Sequence, residues 1–127
     1  MSVYGYCRLA LADDQEMAQQ RKEIADYCEV NHLKVDEYFY DNGASGLTLE
    51  RDGLQAMLNS LKEGDVVVVK DIARLTRDMC GYAILKKHFN DAGVALKIID
   101  QQNNEDLIFL GGINGKENNQ SKEMQRR

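Results

Sequence analysis

Lys70, Arg74 and Arg77 follow within eight residues of a run of four consecutive valines, Val66 to Val69. Such a run suits a strand buried on both faces of a parallel sheet, where neither face tolerates polar side chains. Ligands in open α/β sheets bind outside the carboxyl ends of the strands, which is where these cations would lie. Arg74 and Arg77 are three apart, so a helical turn would place them on one face. Each guanidinium fork donates two parallel hydrogen bonds, so such a pair is a ready clamp for a phosphate. A solvated basic turn would suit the same residues equally well.

Two more arginines are placed by their elements. Ser2 to Arg8 reads as a first strand, with Tyr4, Tyr6 and Arg8 on one side and Val3, Gly5 and Cys7 on the other. Arg8 at the end of a buried strand calls for a nearby anion or carboxylate, because an unpaired buried charge is costly. A purely structural ion pair would satisfy it too. Asp41 to Glu50 is a long polar, glycine-containing loop that carries Ser45 and delivers Arg51 to the start of a helix.

The elements that must position these residues alternate along the chain. A helix is expected from Asp13 or Asp14 to Val30, with Met17, Ile24, Tyr27 and Cys28 as its core stripe. Leu33 to Tyr40 reads as a second strand near a sheet edge, given Asp36 and Glu37. After Arg51, Leu54, Met57, Leu58 and Leu61 mark a helix that Gly64 closes. The valine strand follows, then a helix from Asp78 to Ala92 buried along Tyr82, Leu85, Phe89 and Ala92, then Gly93 and a strand from Val94 to Asp100. This β-α-β-α-β-α-β order predicts an α/β fold: a mainly parallel sheet of four or five strands with helices on both faces. Residues 1–100 form the expected domain, and the polar, glycine- and asparagine-rich 101–127 a partly disordered tail.

Composition narrows the function. A formal charge of −5 over 127 residues argues against binding nucleic acid through bulk electrostatics, so any DNA contact must be local. Three widely spaced cysteines read as reduced thiols, and two histidines in different segments make a metal site improbable. No cofactor is expected. The absence of a long apolar run or signal-peptide pattern points to a cytoplasmic protein without membrane contact.

Tyr4-Gly-Tyr-Cys-Arg-Leu9 resembles the first strand of serine recombinases, the resolvase/invertase family. The resemblance continues in order and spacing through Gln20, Asp41, Ser45-Gly46, Arg51-Asp-Gly-Leu54, Glu63-Gly-Asp65, Arg74-Leu-Thr-Arg-Asp78 and the strand from Gly93 to Asp100. It implies a catalytic domain in which a serine hydroxyl attacks a DNA phosphodiester, becomes joined to the strand end, and exchanges strands within a tetramer. By position, Tyr6, Gln20, Arg8, Arg51, Arg74 and Arg77 match the family's active-site set. Lys70 and Ser45 join the four arginines as candidate DNA-phosphate contacts.

The departures are as informative. Ala10 occupies the position of the nucleophilic serine, Leu11 that of the following threonine, and Ala73 that of an acidic residue before the paired arginines. A methyl group cannot attack phosphorus. The family also continues past Asp100 into a long helix and a small DNA-binding domain, neither of which is expected here. Among substitute nucleophiles, Cys7 falls on the strand face away from Arg8, and Ser45 and Thr76 have no evident base. The resemblance therefore implies a degenerate recombinase domain that contacts DNA without cleaving it, as a homo-oligomer or paired with a related recombinase. The alternatives are a non-enzymatic module that pairs with an active recombinase, or an unrelated phosphate-binding α/β protein. A receiver-like domain fits poorly, since it would need clustered carboxylates where Lys70, Arg74 and Arg77 stand.

Overall fold

The computed structural model describes residues 1–100. The tail expected over 101–127 lies outside them. Eight elements follow in the order β1 (Val3–Leu9), α1 (Asp14–Val30), β2 (Glu37–Asn42), α2 (Asp52–Ser60), β3 (Val66–Val69), α3 (Ile72–Leu75), α4 (Met79–Ala92) and β4 (Ala95–Ile98). The strands form one parallel sheet in the order β2-β1-β3-β4. That topology puts β1 and β3 at the centre, and their sequences explain why. All four valines of β3 are buried, with Val67 and Val69 in one core and Val66 and Val68 in the other.

The alternation of β1 partitions the two cores. Tyr6 packs with Phe39, Leu54, Met57, Leu75, Leu85 and Phe89 beneath α2 and α4, whereas Val3 and Cys7 pack with Met17, Ile24 and Cys28 of α1. Full burial of each such aliphatic side chain is worth about 1.5–3 kcal/mol, so the two layers hold β1 from both sides. Helices end where local chemistry stops them. Asp13 caps α1 by accepting from the N–H groups of Gln15 and Glu16 at 3.0 and 3.1 Å. Gly93, with φ of +72°, closes α4 in a left-handed conformation that favours glycine.

Several boundaries differ from expectation; β4, for one, is Ala95–Ile98 and not Val94 to Asp100. Strand β2 starts at Glu37, not Leu33, because Leu33 and Val35 pack as loop residues against the α1 core and the Asp36 carboxylate accepts the Val3 N–H at 2.7 Å. Helix α2 ends at Ser60, and Gly64 (φ +92°) serves the turn into β3 instead of closing the helix. The basic segment after β3 holds only the single turn α3, since Thr76 returns to extended backbone at φ −161° and ψ 157°. Arg74 and Arg77 therefore do not share a helix face.

Candidate functional site

The carboxyl end of β1 is the hub. The Gln20 side chain of α1 clasps the main chain of Arg8, accepting its N–H and donating to its C=O, both at 3.1 Å. The same C=O takes a second hydrogen bond from Arg74 Nη1 at 3.1 Å. Arg8 itself is fully buried and has no carboxylate partner among the described residues. Its guanidinium donates instead to three main-chain carbonyls: Nε to Arg74 at 3.0 Å, Nη1 to Ala44 at 2.6 Å and Nη2 to Ala73 at 2.8 Å. One side chain thus ties β1 to the Asp41–Glu50 loop and to α3. Burial, with the charges of Arg74 and Arg51 beside it, pulls the Arg8 pKa down to about 10.

Arg51 repeats the pattern from the amino end of α2. Its Nη1 donates to Tyr6 Oη at 3.0 Å and to the Arg74 carbonyl at 3.1 Å, and its Nη2 donates to the Leu75 carbonyl. Its Nε is buried with no hydrogen-bond partner among the described residues. Burial lowers the pKa of this guanidinium as well. Tyr6 passes the network on, donating its hydroxyl to Asp41 Oδ2 at 2.6 Å. Burial and that bond raise the phenol pKa, so Tyr6 remains a neutral donor. Asp41 also accepts from the N–H groups of Gly53 and Leu54 at 2.8 and 2.9 Å. It thereby caps α2, whose own N-cap residue, Arg51, contributes no side-chain bond.

Arg74 and Arg77 are more open. The Arg74 side chain is 20% exposed and lies 3.3 Å from Asp71, whose carboxylate also accepts the Arg74 N–H at the start of α3. Arg77 is exposed, and its main-chain N–H donates to the Gly46 carbonyl at 2.9 Å. Gly46 fits between the two kinds of arginine: a Cβ there would lie 2.5 Å from Arg77 Cγ and 2.9 Å from Arg8 Nη2. Arg8, Arg51 and Arg74 are thus brought together with Tyr6, Arg77 adjoins them through Gly46, and Gln20 braces the base.

Two candidates are not brought into the cluster in a usable form. Lys70 continues β3 on the side of Val66 and Val68, so it emerges on the α1 face and pairs with Glu23 at 3.2 Å. Ser45 is exposed in the loop, but its Oγ accepts the Leu47 N–H at 3.0 Å in a local turn. The residues that could replace a nucleophile are poorly placed. Cys7 is fully buried in the α1 core with its pKa pushed up to about 12 by burial, and Thr76 is buried and bonded to Asp78. Ala10, the residue after β1, is exposed, and Ala73 contributes only its carbonyl to Arg8.

Asp41 and Gly46, which the sequence offered only within the family pattern and without a site role, and Asp71, which it did not offer, emerge as site residues. Asp71 carried a signal, an aspartate one residue before a helical turn. Chemically, the cluster gathers cations around the end of β1 against the carboxylates of Asp41 and Asp71, an arrangement suited to an anion. Among the described residues no group of His, Cys, Asp and Glu is placed to hold a metal, and no helix is long and apolar enough to cross a membrane.

Comparisons with known proteins agree with one another. Residues 3–126 match the family model described as resolvase, N terminal domain. A resolvase/recombinase of Pseudomonas putida is 33% identical over 116 residues, covering 91% of this chain and 58% of the relative. The transposon Tn3 resolvase of Escherichia coli is 34% identical over 100 residues, covering 79% of this chain and 51% of the relative. The chain thus spans somewhat more than half the length of these curated relatives. In fold it is similar to the catalytic domain of ISC1926 TnpA, an IS607-like serine recombinase, with a TM-score of 0.70, 23% identity, and coverage of 87% of this chain and 75% of that one. It is likewise similar to the catalytic domain of TP901-1 integrase, with a TM-score of 0.69, 20% identity, and coverage of 87% and 91%.

Proposed function

We propose, from the premise that this chain belongs to the resolvase family, that its arginine cluster binds a backbone phosphate of DNA without breaking the strand. The observation that carries this reading is Ala10, exposed immediately after β1 and two residues beyond Arg8, whose carbonyl Arg74 holds. In a phosphoryl transfer by this family's chemistry, a serine oxygen attacks phosphorus, the bridging oxygen leaves, and positioned arginines stabilise the charge that gathers on the phosphate. With a methyl at that position the electrostatic half remains and the nucleophile does not.

The division of labour follows from hydrogen bonding. Arg8 and Arg51 have committed their forks to main-chain carbonyls and shape the pocket. Arg74, partly open, and Arg77, exposed, make the phosphate contacts. The Ala73 methyl supplies no carboxylate to orient either of them. The test is Ala10→Ser combined with Ala73→Asp, assayed for DNA nicking beside the parent chain. Nicking by the double variant alone is expected. A covalent protein–DNA adduct formed by the parent would overturn the reading.

A second reading, pairing with a related recombinase chain, is supported by Leu11 and Leu47, which are 84% and 71% exposed on the loops that follow β1 and β2. Light scattering of the chain with a full-length relative tests it, and two unassociated species would count against it.

A further inference from the structure

On the opposite face of the sheet from the arginine cluster, α1 and β2 line an open groove of about 460 Å³. Its wall is aromatic. Tyr38 lies across β1 at Gly5, where a Cβ would approach its ring carbons Cδ1 and Cε1 to 2.7 and 2.9 Å, so the ring occupies room that glycine leaves. Tyr40 faces the same way two residues on, its ring 6.2 Å from that of Tyr38 and inclined by only 19°. β2 is an edge strand, and Tyr40 is 41% exposed. From α1, the Arg21 guanidinium stands 4.7 Å from the centre of the Tyr38 ring. None of the ion pairs among the described residues uses Arg21. The other charged groups of the groove are already engaged: Lys22 pairs with Asp26 at 2.8 Å, and Asp14 accepts from Asn42 Nδ2 at 3.0 Å.

A nearly parallel tyrosine pair beside an arginine that bonds to Tyr38 but has no carboxylate partner among the described residues fits a ligand that is flat and aromatic at one end and anionic at the other. We propose that Arg21, Tyr38 and Tyr40 form a stacking site for an unpaired nucleotide of a DNA strand. The base lies on the open side of Tyr40 and its phosphate meets Arg21. Aromatic stacking tolerates any base because every base has a π face, and it needs an unpaired nucleotide because a duplex hides those faces. The choice of DNA as the polymer rests on the function proposed above; the stacking chemistry does not.

The test is fluorescence anisotropy of a labelled short oligothymidylate and of an abasic oligomer of equal length, at one salt concentration. The parent chain is expected to bind the base-bearing oligomer about tenfold more tightly, since each stacked base is worth about 1–3 kcal/mol. Tyr40→Ala is expected to erase that preference and Tyr40→Phe to keep it, while Arg77→Ala leaves it unchanged. Circular dichroism of each variant reports whether the fold persists. Equal binding of the two oligomers by the parent, or a preference that survives in folded Tyr40→Ala, would overturn the proposal. So would a second copy of the chain covering this face, seen as a dimer that Tyr40→Ala dissociates while oligomer binding is absent. A parent chain that shows the base preference but does not bind duplex DNA would instead count against the arginine cluster alone.

Discussion

Arg8 and Arg51 are buried and bonded to main-chain carbonyls, whereas Arg74 is partly open and Arg77 exposed. All four arginines belong to one cluster, yet the two pairs do different work. A buried guanidinium loses its hydration and must recover it through hydrogen bonds, and carbonyls at strand and helix ends supply geometry that carboxylates would otherwise provide. The buried pair therefore behaves as a set of cross-links among β1, the loop after β2 and α3. Only the open pair presents donors where a ligand can reach them. An arginine in the right position is thus not automatically an arginine available to a phosphate.

Substitutions should separate the pairs by their effect on stability. Arg8→Met leaves the carbonyls of Ala44, Ala73 and Arg74 without their donors. It should lower unfolding stability by about 3 kcal/mol, read from the urea midpoint. Asp41→Ala removes both the cap of α2 and the acceptor for Tyr6, and about 2 kcal/mol is expected in the same measurement. Gly46→Ala forces a Cβ against Arg77 Cγ and Arg8 Nη2, and loop displacement should cost about 1 kcal/mol. Arg77→Ala, at an exposed position, should change stability by less than about 0.5 kcal/mol. A large loss of stability for Arg77→Ala, or none for Arg8→Met, would break the distinction.

Much of the scaffold was legible because periodicity is local. The valine run marked β3 as central, and the alternation of Tyr4, Tyr6 and Arg8 against Val3, Gly5 and Cys7 anticipated the two cores. The sides taken by the cations were harder. Lys70 shares the parity of Val66 and Val68, but which core those valines enter depends on the packing of α1. That the turn after β3 ends before Arg77 was also missed, because the extended backbone at Thr76 accompanies a tertiary contact of Arg77 with Gly46. The partners of Arg8 had no signature at all. They are carbonyls of Ala44, Ala73 and Arg74, and a main-chain acceptor looks the same at every residue. Asp41 was visible as part of a family pattern, while its triple role emerged only once β2 was set against the start of α2.

The most direct test of phosphate capture by the open arginines is the salt dependence of duplex DNA binding by the parent chain and by Arg77→Ala. Losing one phosphate contact should make the logarithmic slope shallower by about 0.9 and weaken binding at low salt, with the fold intact. An unchanged slope and affinity in a folded Arg77→Ala protein would contradict the claim that this side of the cluster holds the DNA backbone.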